Sequence, residues 1–259
     1  KRSNITSYRF GDDEFMAVIP NADALDSLAN ITDAIFEAFD IHGISVSGGV
    51  TVYPEDSESE DDLLRFADIA VQYAKKNGKH KFEFFNPDMQ RMFIQRLNMQ
   101  TKITSAILSK AFYLVYQPQF DVQTGILRGF EALSRWHDEE LGDVSPVVFI
   151  PVAEETGLII PISNWVLNTA FSTLKEWQSE YGFSGVLSVN ISPTHLKQES
   201  FISDITTLIE QYKLDPHSIE IEITEGIMID NMDETIAKLM RLKEMGFRIS
   251  LDDFGTGYS

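Results

Sequence analysis

Acidic and amide side chains recur at alternate positions of several apolar segments in the second half of the chain. Glu131, Asn190, Glu222 and Asp252 lie in such segments, and Asp253 follows directly. Because alternate residues of a β-strand face opposite sides, the polar residues of each segment share one face and the aliphatic residues share the other. Barrels of parallel strands carry active-site residues at the carboxyl ends of those strands. The pattern therefore predicts that these five side chains meet in one pocket.

A pocket of this kind has the ligand chemistry of a divalent cation site. Crowded carboxylates repel one another and are difficult to ionise together unless a cation neutralises them. Oxygen ligands without cysteine or histidine favour Mg²⁺, Mn²⁺ or Ca²⁺ over zinc. The alternative is an antiparallel sheet with one solvated face, in which such alternation is routine. Four strands of this type, separated by helices, favour the metal site.

The elements that must position these residues alternate in type along the chain. Strands are predicted at 112–121, 126–136, 186–191, 219–223 and 248–252. Helices are predicted near 147–156, 162–181, 200–213 and 233–245. This succession of strands and helices indicates a parallel sheet, either open or closed into a barrel.

A smaller α/β domain precedes this succession. Its predicted elements are a strand after the turn at 9–15, helices at 22–40 and 60–76, and strands at 44–53 and 81–85. Ser59 is predicted to cap the second helix and Gly78 to end it. Residues 88–111 lack glycine and proline and are predicted to form a connecting helix. We therefore predict one domain at 1–87 and a second at 112–259.

The composition excludes several classes of function. The chain has 259 residues, a net charge of −19 and no cysteine. The lack of cysteine removes disulfides, thiolate metal sites and cysteine nucleophiles. Direct nucleic-acid binding needs a cationic surface, which this acidic chain does not offer. An anionic ligand would need local cations, either metal ions or a few well-placed arginines. We expect a cytoplasmic location, with membrane attachment only through a segment upstream of this chain.

The segment Phe130–Trp136 resembles the signature of EAL phosphodiesterases, and further segments match that family in order. They are Tyr116–Pro118, Phe149–Glu154, Val189–Ser192, Glu222–Glu225 and Asp252–Gly257. The resemblance covers about 140 residues. It implies a (β/α)8 TIM-like barrel, with about five strands present here, that hydrolyses cyclic di-GMP to linear pGpG. It further implies a two-metal site for Mg²⁺ or Mn²⁺.

The resemblance also implies roles for individual residues of the metal site. Glu131, Asn190, Glu222 and Asp252 match metal ligands of the family. Asp253 matches a residue between the metal pair and the attacking water. The resemblance therefore implies that Glu131, Asp253 and Glu225 take part in catalysis.

Further residues match the family's ligand contacts. Arg135 and Leu133 match the phosphate and nucleotide contacts, and Gln117 is a weaker candidate for contacting the ligand. Glu225, together with the loop at 253–259, matches the element that couples ligand, metal and dimer interface. A homodimer through the EAL domain is the expected assembly.

The turn in the first domain resembles the GGDEF signature of diguanylate cyclases. It reads Gly11-Asp12-Asp13-Glu14-Phe15, so an aspartate stands where that motif has its second glycine. Glycine lets the backbone approach a nucleotide, whereas Asp12 adds a side chain and a negative charge facing a triphosphate. We expect a degenerate domain without cyclase activity. Regulatory binding of GTP remains open, and a simple hairpin turn would explain the same residues.

The match to the EAL family stops inside the loop after the fifth predicted strand. The family's later units carry a lysine, a glutamate and a glutamine that function in the site. We therefore expect this chain to be a fragment with little turnover of its own, taken from an active phosphodiesterase. The alternatives are a cyclic di-GMP receptor without catalysis and a structural module that has lost the ligand.

Overall fold

Residues 5–20, 25–224 and 232–252 are described by a computed structural model of the protein. They divide into two compact units, with the boundary between Gln95 and Arg96. The boundary falls within a long helix, whose first part packs in the first unit and whose second part packs in the second.

The first unit combines two short two-stranded sheets with helices. Its elements are β1 (Thr6–Arg9), β2 (Phe15–Val18), α1 (Leu25–Asp40), β3 (Gly48–Val50), α2 (Glu60–Lys76), β4 (Phe82–Phe84) and the first part of α3 (Pro87–Ser109). β1 and β2 form an antiparallel hairpin, and β3 pairs with β4 in parallel. The helix predicted at 60–76 is confirmed, and the Ser59 side chain accepts a hydrogen bond from the backbone of Asp62 at its start.

The strand predicted at 44–53 is much shorter than expected, because β3 has only three residues. A Cβ atom at Gly49 would lie 2.0 Å from the carbonyl oxygen of Ala67, and one at Gly48 would lie 2.1 Å from the Phe82 ring. Glycine thus allows β3 to approach both α2 and β4. Beyond the strand, the Asp56 side chain accepts a hydrogen bond from the Val52 amide at 2.7 Å, which ends the pairing in a turn.

The second unit contains a larger sheet with helices between its strands. Its elements are the rest of α3, β5 (Phe112–Phe120), β6 (Leu127–Asp138), β7 (Gly142–Val144), α4 (Pro146–Glu155), α5 (Ile159–Glu180), β8 (Val186–Asn190), α6 (Pro193–Leu196), α7 (Phe201–Tyr212), a 3₁₀ helix (Pro216–Ser218), β9 (Ile219–Thr224), α8 (Met232–Glu244) and β10 (Arg248–Asp252). The five strands and four helices predicted for this region are confirmed. The short elements β7 and α6 were not predicted.

The strands of this sheet run in the order β10-β9-β8-β6-β5, and β7 pairs with β6 outside that order. β6, β8, β9 and β10 are parallel to one another. The predicted parallel sheet is confirmed for these four strands, but the prediction is wrong for the first pair, because β5 and β6 are antiparallel. The connection at 121–126 is too short to return the chain to the other end of the sheet, as a parallel pairing would require.

Aliphatic side chains on one face of the sheet pack into the core of the second unit. In β9, the side chains of Ile219, Ile221 and Ile223 are at most 1% exposed, and they lie in one cluster with Phe171 of α5. Burial of this kind stabilises the fold by about 2 kcal/mol for each large aliphatic side chain. The alternation of β9 therefore directs its two glutamates to the opposite face.

Candidate functional site

Three carboxylates from three separate strands meet on the polar face of the sheet. One oxygen each of Glu131 in β6, Glu222 in β9 and Asp252 in β10 lies within 4.8 Å of the other two. Glu222 is buried, Glu131 is partly buried and Asp252 is exposed. Residues up to 121 positions apart in sequence, from Glu131 to Asp252, thus form one acidic cluster at the carboxyl end of the parallel strands.

The register of the sheet explains why these residues meet. Glu131 pairs with Ser188, and Ser188 pairs with Glu220, so Glu222 lies two residues further along its strand. Asp252 lies two residues beyond the position that pairs with Glu222. The acids therefore advance by two residues from β6 to β9, across β8, and by two more from β9 to β10, and these even shifts keep each acid on the same face. A diagonal of this kind corresponds to the stagger and tilt of strands in a barrel.

Asn190 joins the cluster through a hydrogen bond. Its Nδ2 atom donates to Oε1 of Glu131 at 2.7 Å, and its backbone is paired in register with Glu222. The structure thus brings together Glu131, Asn190, Glu222 and Asp252, four of the five residues predicted to form the metal site. Asp253 and Glu225 lie outside the described residues.

The pKa of the Glu222 carboxyl is raised from 4.5 to about 7, chiefly by burial. The negative charges of Glu131 and Asp252 contribute to this rise, whereas hydrogen bonds from Ser188 and Gln119 act in the opposite direction. An antiparallel sheet with a solvated face would leave such a glutamate in water, but Glu222 is only 8% exposed. Oxygen ligands converging around a buried carboxylate fit a hard divalent cation, because its charge would favour the ionised form.

The predicted ligand contacts lie on the same face of β5 and β6 as Glu131. Gln117 pairs with Glu131 directly across the antiparallel ladder, and opposite residues share a face. Leu133 and Arg135 follow Glu131 by two and four residues in β6. At about 3.3 Å per residue, Arg135 lies roughly 13 Å beyond Glu131 along the strand. Arg135 is partly exposed and donates one hydrogen bond to the backbone of Ser134 at 2.9 Å.

Sequence reasoning missed a group of polar residues beneath the acidic cluster. Gln119 of β5 donates a hydrogen bond to Glu222, and Arg128 of β6 contacts both Gln119 and Glu220. Ser188 and Glu220 occupy polar positions of the alternating segments that became β8 and β9, and the sequence pattern indicated no role for either. Gln119 lies two residues after Gln117 and therefore on the same face of β5. This spacing was the available signal in the sequence. Arg128 gave no such signal, because its orientation depends on an irregularity in the strand pairing.

The turn from Gly11 to Phe15 forms the connection of the β1–β2 hairpin. The Arg9 side chain donates to the carbonyl oxygens of Gly11 and Asp12 at 2.9 and 3.0 Å. The Phe10 amide donates to the Glu14 carbonyl at 2.8 Å, which closes the turn. Asp12, Asp13 and Glu14 are exposed. Within the described ranges, these acids do not belong to a group of three metal-binding side chains of the kind found in the second unit.

Comparison with known families follows the division into two units. The family model "EAL domain" matches residues 100–259, and the model "Diguanylate cyclase, GGDEF domain" matches residues 2–81. The chain therefore belongs to the EAL domain family, and a GGDEF segment precedes its EAL domain. In the described part of the chain, no helix has the length and apolar character needed to span a membrane.

Individual relatives share this domain order or the EAL fold. The chain is 39% identical to the oxygen sensor protein DosP of Escherichia coli over 78% of its own length and 25% of that protein. It is 31% identical to the bifunctional diguanylate cyclase/cyclic di-GMP phosphodiesterase MucR of Pseudomonas aeruginosa, over 100% of its length and 39% of that protein. The chain thus spans between a quarter and about two fifths of these curated relatives.

A solved structure supports the fold of the second unit. The complex of the PaMucR phosphodiesterase with c-di-GMP superposes with a TM-score of 0.59 at 31% identity. The superposition covers 62% of this chain and 66% of that one. The predicted TIM-like barrel fold, with about five strands present, is confirmed.

Proposed function

We propose that the protein, in its full-length form, hydrolyses cyclic di-GMP to linear pGpG. The observation that carries this proposal is the convergence of Glu131, Glu222 and Asp252 within 4.8 Å on the polar face of the barrel sheet. Membership of the EAL family and the similarity to a cyclic di-GMP phosphodiesterase supply the substrate. The proposal also fits the charge of the chain. A protein with a net charge of −19 needs local cations to hold an anionic phosphodiester.

The metal site proposed for this reaction consists of Glu131, Asn190, Glu222, Asp252 and Asp253. Their oxygen atoms suit Mg²⁺ or Mn²⁺. Two such ions, when bound, would supply a hydroxide near neutral pH and stabilise the leaving oxygen of the phosphodiester. The contribution of the chain itself is to hold these ligands on rigid strands and to keep Glu222 buried.

The remaining proposed roles concern the substrate. Arg135 binds a phosphate oxygen through its guanidinium group, which can make two parallel hydrogen bonds. Leu133 and Gln117 border the same face and contact the nucleotide. Asp253 orients the attacking water, and Glu225 couples ligand binding to the metal site. Two residues of the described face, Leu133 and Arg135, thus extend the binding surface beyond the acids along β6.

The decisive experiment measures pGpG formation by the full-length protein with Mg²⁺ or Mn²⁺. We expect Glu131→Gln to lower the rate by more than about 100-fold, because even residues that only support metal ligands change activity by 10- to 100-fold. Glu139→Gln is the matched control, since Glu139 is an exposed residue just after β6. Absence of pGpG formation in wild type would refute the proposal, and tight binding of cyclic di-GMP without hydrolysis would favour a receptor instead.

The first unit is proposed to regulate this activity without being a cyclase itself. The acidic side chain of Asp12 at the place of a motif glycine supports that view, and GTP is the ligand to test. A homodimer through the EAL domain is proposed from the family resemblance, with a cytoplasmic location. Light scattering of the full-length protein with and without cyclic di-GMP tests the assembly, and a monomer under both conditions would contradict it.

A further inference from the structure

A β-bulge at the start of β6 turns Arg128 toward the polar face of the sheet. Phe120 of β5 pairs with Leu127, whereas the preceding residue Gln119 pairs with Gly129, so Arg128 is the additional residue. Bulges of this kind change the direction of the side chain that they contain. The Arg128 guanidinium contacts Gln119 and Glu220, which both lie below the acidic cluster.

The amide group of Gln119 has one chemically consistent orientation. Nη1 of Arg128 donates to its Oε1 atom at 3.2 Å, and its Nε2 atom donates to Oε1 of Glu222 at 3.3 Å. A guanidinium can only donate, and an ionised carboxylate can only accept. The reversed amide would therefore present the wrong group to both neighbours. Arg128 thus determines that an N–H group of Gln119 faces Glu222.

Arg128 is itself held by an ion pair with Glu220. The Glu220 side chain is only 8% exposed, so its charge needs the arginine. The Ser188 hydroxyl lies 3.3 Å from Oε1 of Gln119 and completes the surroundings of the amide. The contacts form a chain from Glu220 through Arg128 and Gln119 to Glu222.

We propose that Gln119 is a positioning residue that orients the Glu222 carboxylate for divalent metal binding, with Arg128 fixing the orientation of Gln119. The last side-chain torsion of a glutamate is broad, so an isolated carboxylate samples many rotations. A hydrogen bond to one carboxylate oxygen restricts that rotation. Residues that hydrogen-bond to metal ligands in this way typically change metal affinity by 10- to 100-fold when they are removed. The inference rests on the proposed function, because it assigns Glu222 to the metal site.

The test is calorimetric titration of the full-length protein with Mn²⁺ alone. We expect Gln119→Met, which keeps the length of the side chain but removes the amide, to weaken Mn²⁺ binding by about 10-fold. Gln123→Met, in the exposed turn between β5 and β6, is the matched control and should change the affinity by less than about 2-fold. Thermal unfolding of the metal-free protein, with a chelator present, shows whether the Gln119→Met variant is folded, so that a positioning role can be separated from a loss of fold. If that variant is unstable, Gln119→Ala replaces it.

The role of Arg128 is tested by removing it together with Glu220, so that no buried charge is left without its ion pair. We expect Arg128→Met with Glu220→Leu to weaken Mn²⁺ binding by about 3-fold and to cause no further loss in the Gln119→Met background. If the losses in Mn²⁺ affinity were fully additive, the inference that Arg128 acts through Gln119 would be wrong.

The outcomes also separate this inference from the proposed function. Wild-type protein that does not bind Mn²⁺ would overturn both. Wild-type protein that binds Mn²⁺ with the same affinity as the Gln119→Met variant would overturn the positioning role of Gln119 alone.

Discussion

Acidic residues are concentrated in both units of the chain, but the two concentrations differ in how they are built. In the first unit, Asp12, Asp13 and Glu14 are neighbours in sequence and lie exposed in a hairpin turn. In the second, Glu131 and Glu222 come from different strands and meet on one face of a sheet. The side chains of adjacent residues in a strand or turn point in different directions, whereas side chains from residues far apart in sequence can converge on one site. A cation site is therefore better indicated by acids recurring on separate strands than by a run of acids.

The acidic residues of the two units are expected to differ most in their effect on catalysis. Replacing Glu222 with alanine should lower pGpG formation by more than about 100-fold, because the central carboxylate of the cluster is lost. Glu14→Ala should leave the rate within about 2-fold of wild type, since Glu14 belongs to a turn that needs only its backbone to close. Steady-state assays of both variants with saturating Mn²⁺ make the measurement. A similar loss in both variants would remove the distinction between the two acidic regions.

A second difference concerns the pH dependence of stability. The pKa of Glu222 is raised from 4.5 to about 7 in the folded protein, mainly by burial. The folded state therefore binds the proton more tightly than the unfolded state. The resulting stability is fully present below pH 4.5 and is lost as the pH rises through 7, a change of about 3 kcal/mol in the free energy of unfolding.

Urea unfolding of metal-free protein at several pH values measures this contribution. Glu222→Gln should lose less stability between pH 4.5 and pH 8 than wild type does, because its amide does not titrate. Identical pH profiles for wild type and Glu222→Gln would show that the carboxyl does not have the raised pKa.

A third prediction concerns metal binding as a source of stability. Mn²⁺ at about 100 times its dissociation constant should raise the free energy of unfolding by about 2.7 kcal/mol, because it binds only the folded protein. Asp252→Asn should lose most of this gain, whereas Asp13→Asn should keep it. Thermal unfolding with and without Mn²⁺ makes the comparison. If Asp13→Asn lost the gain instead, the metal would belong to the first unit.

The smallest expected effect lies in the first unit, at the start of α2. Ser59→Ala should destabilise that unit by about 1 kcal/mol, because the Asp62 amide loses its capping oxygen. Ser59→Asp should restore the cap. Neither change should alter Mn²⁺ affinity, since Ser59 caps a helix of the first unit, whereas Glu131, Glu222 and Asp252 belong to the second. A changed Mn²⁺ affinity in Ser59→Ala alone would argue against assigning the metal site to the second unit.

Much of the local structure followed from the sequence alone. The bounds of α2 were predicted to the residue, because a capping serine, an acidic first turn and an asparagine-glycine end all act locally. β9 was predicted to within one residue, because three isoleucines alternate with two glutamates in it. The strand predicted at 44–53 was too long, because its extent depends on how closely Gly48 and Gly49 approach residues of other elements.

The sequence by itself determined the five longer strands of the second unit and which face of each is polar, since alternation is a property of the local backbone. It could not determine the diagonal register that joins Glu131 to Asp252, or the bulge that turns Arg128 inward. Those features depend on how separate strands pair, and pairing is decided by contacts between residues distant in the chain. The tertiary structure therefore decided in which register the predicted acids meet and that Gln119 lies beside Glu222.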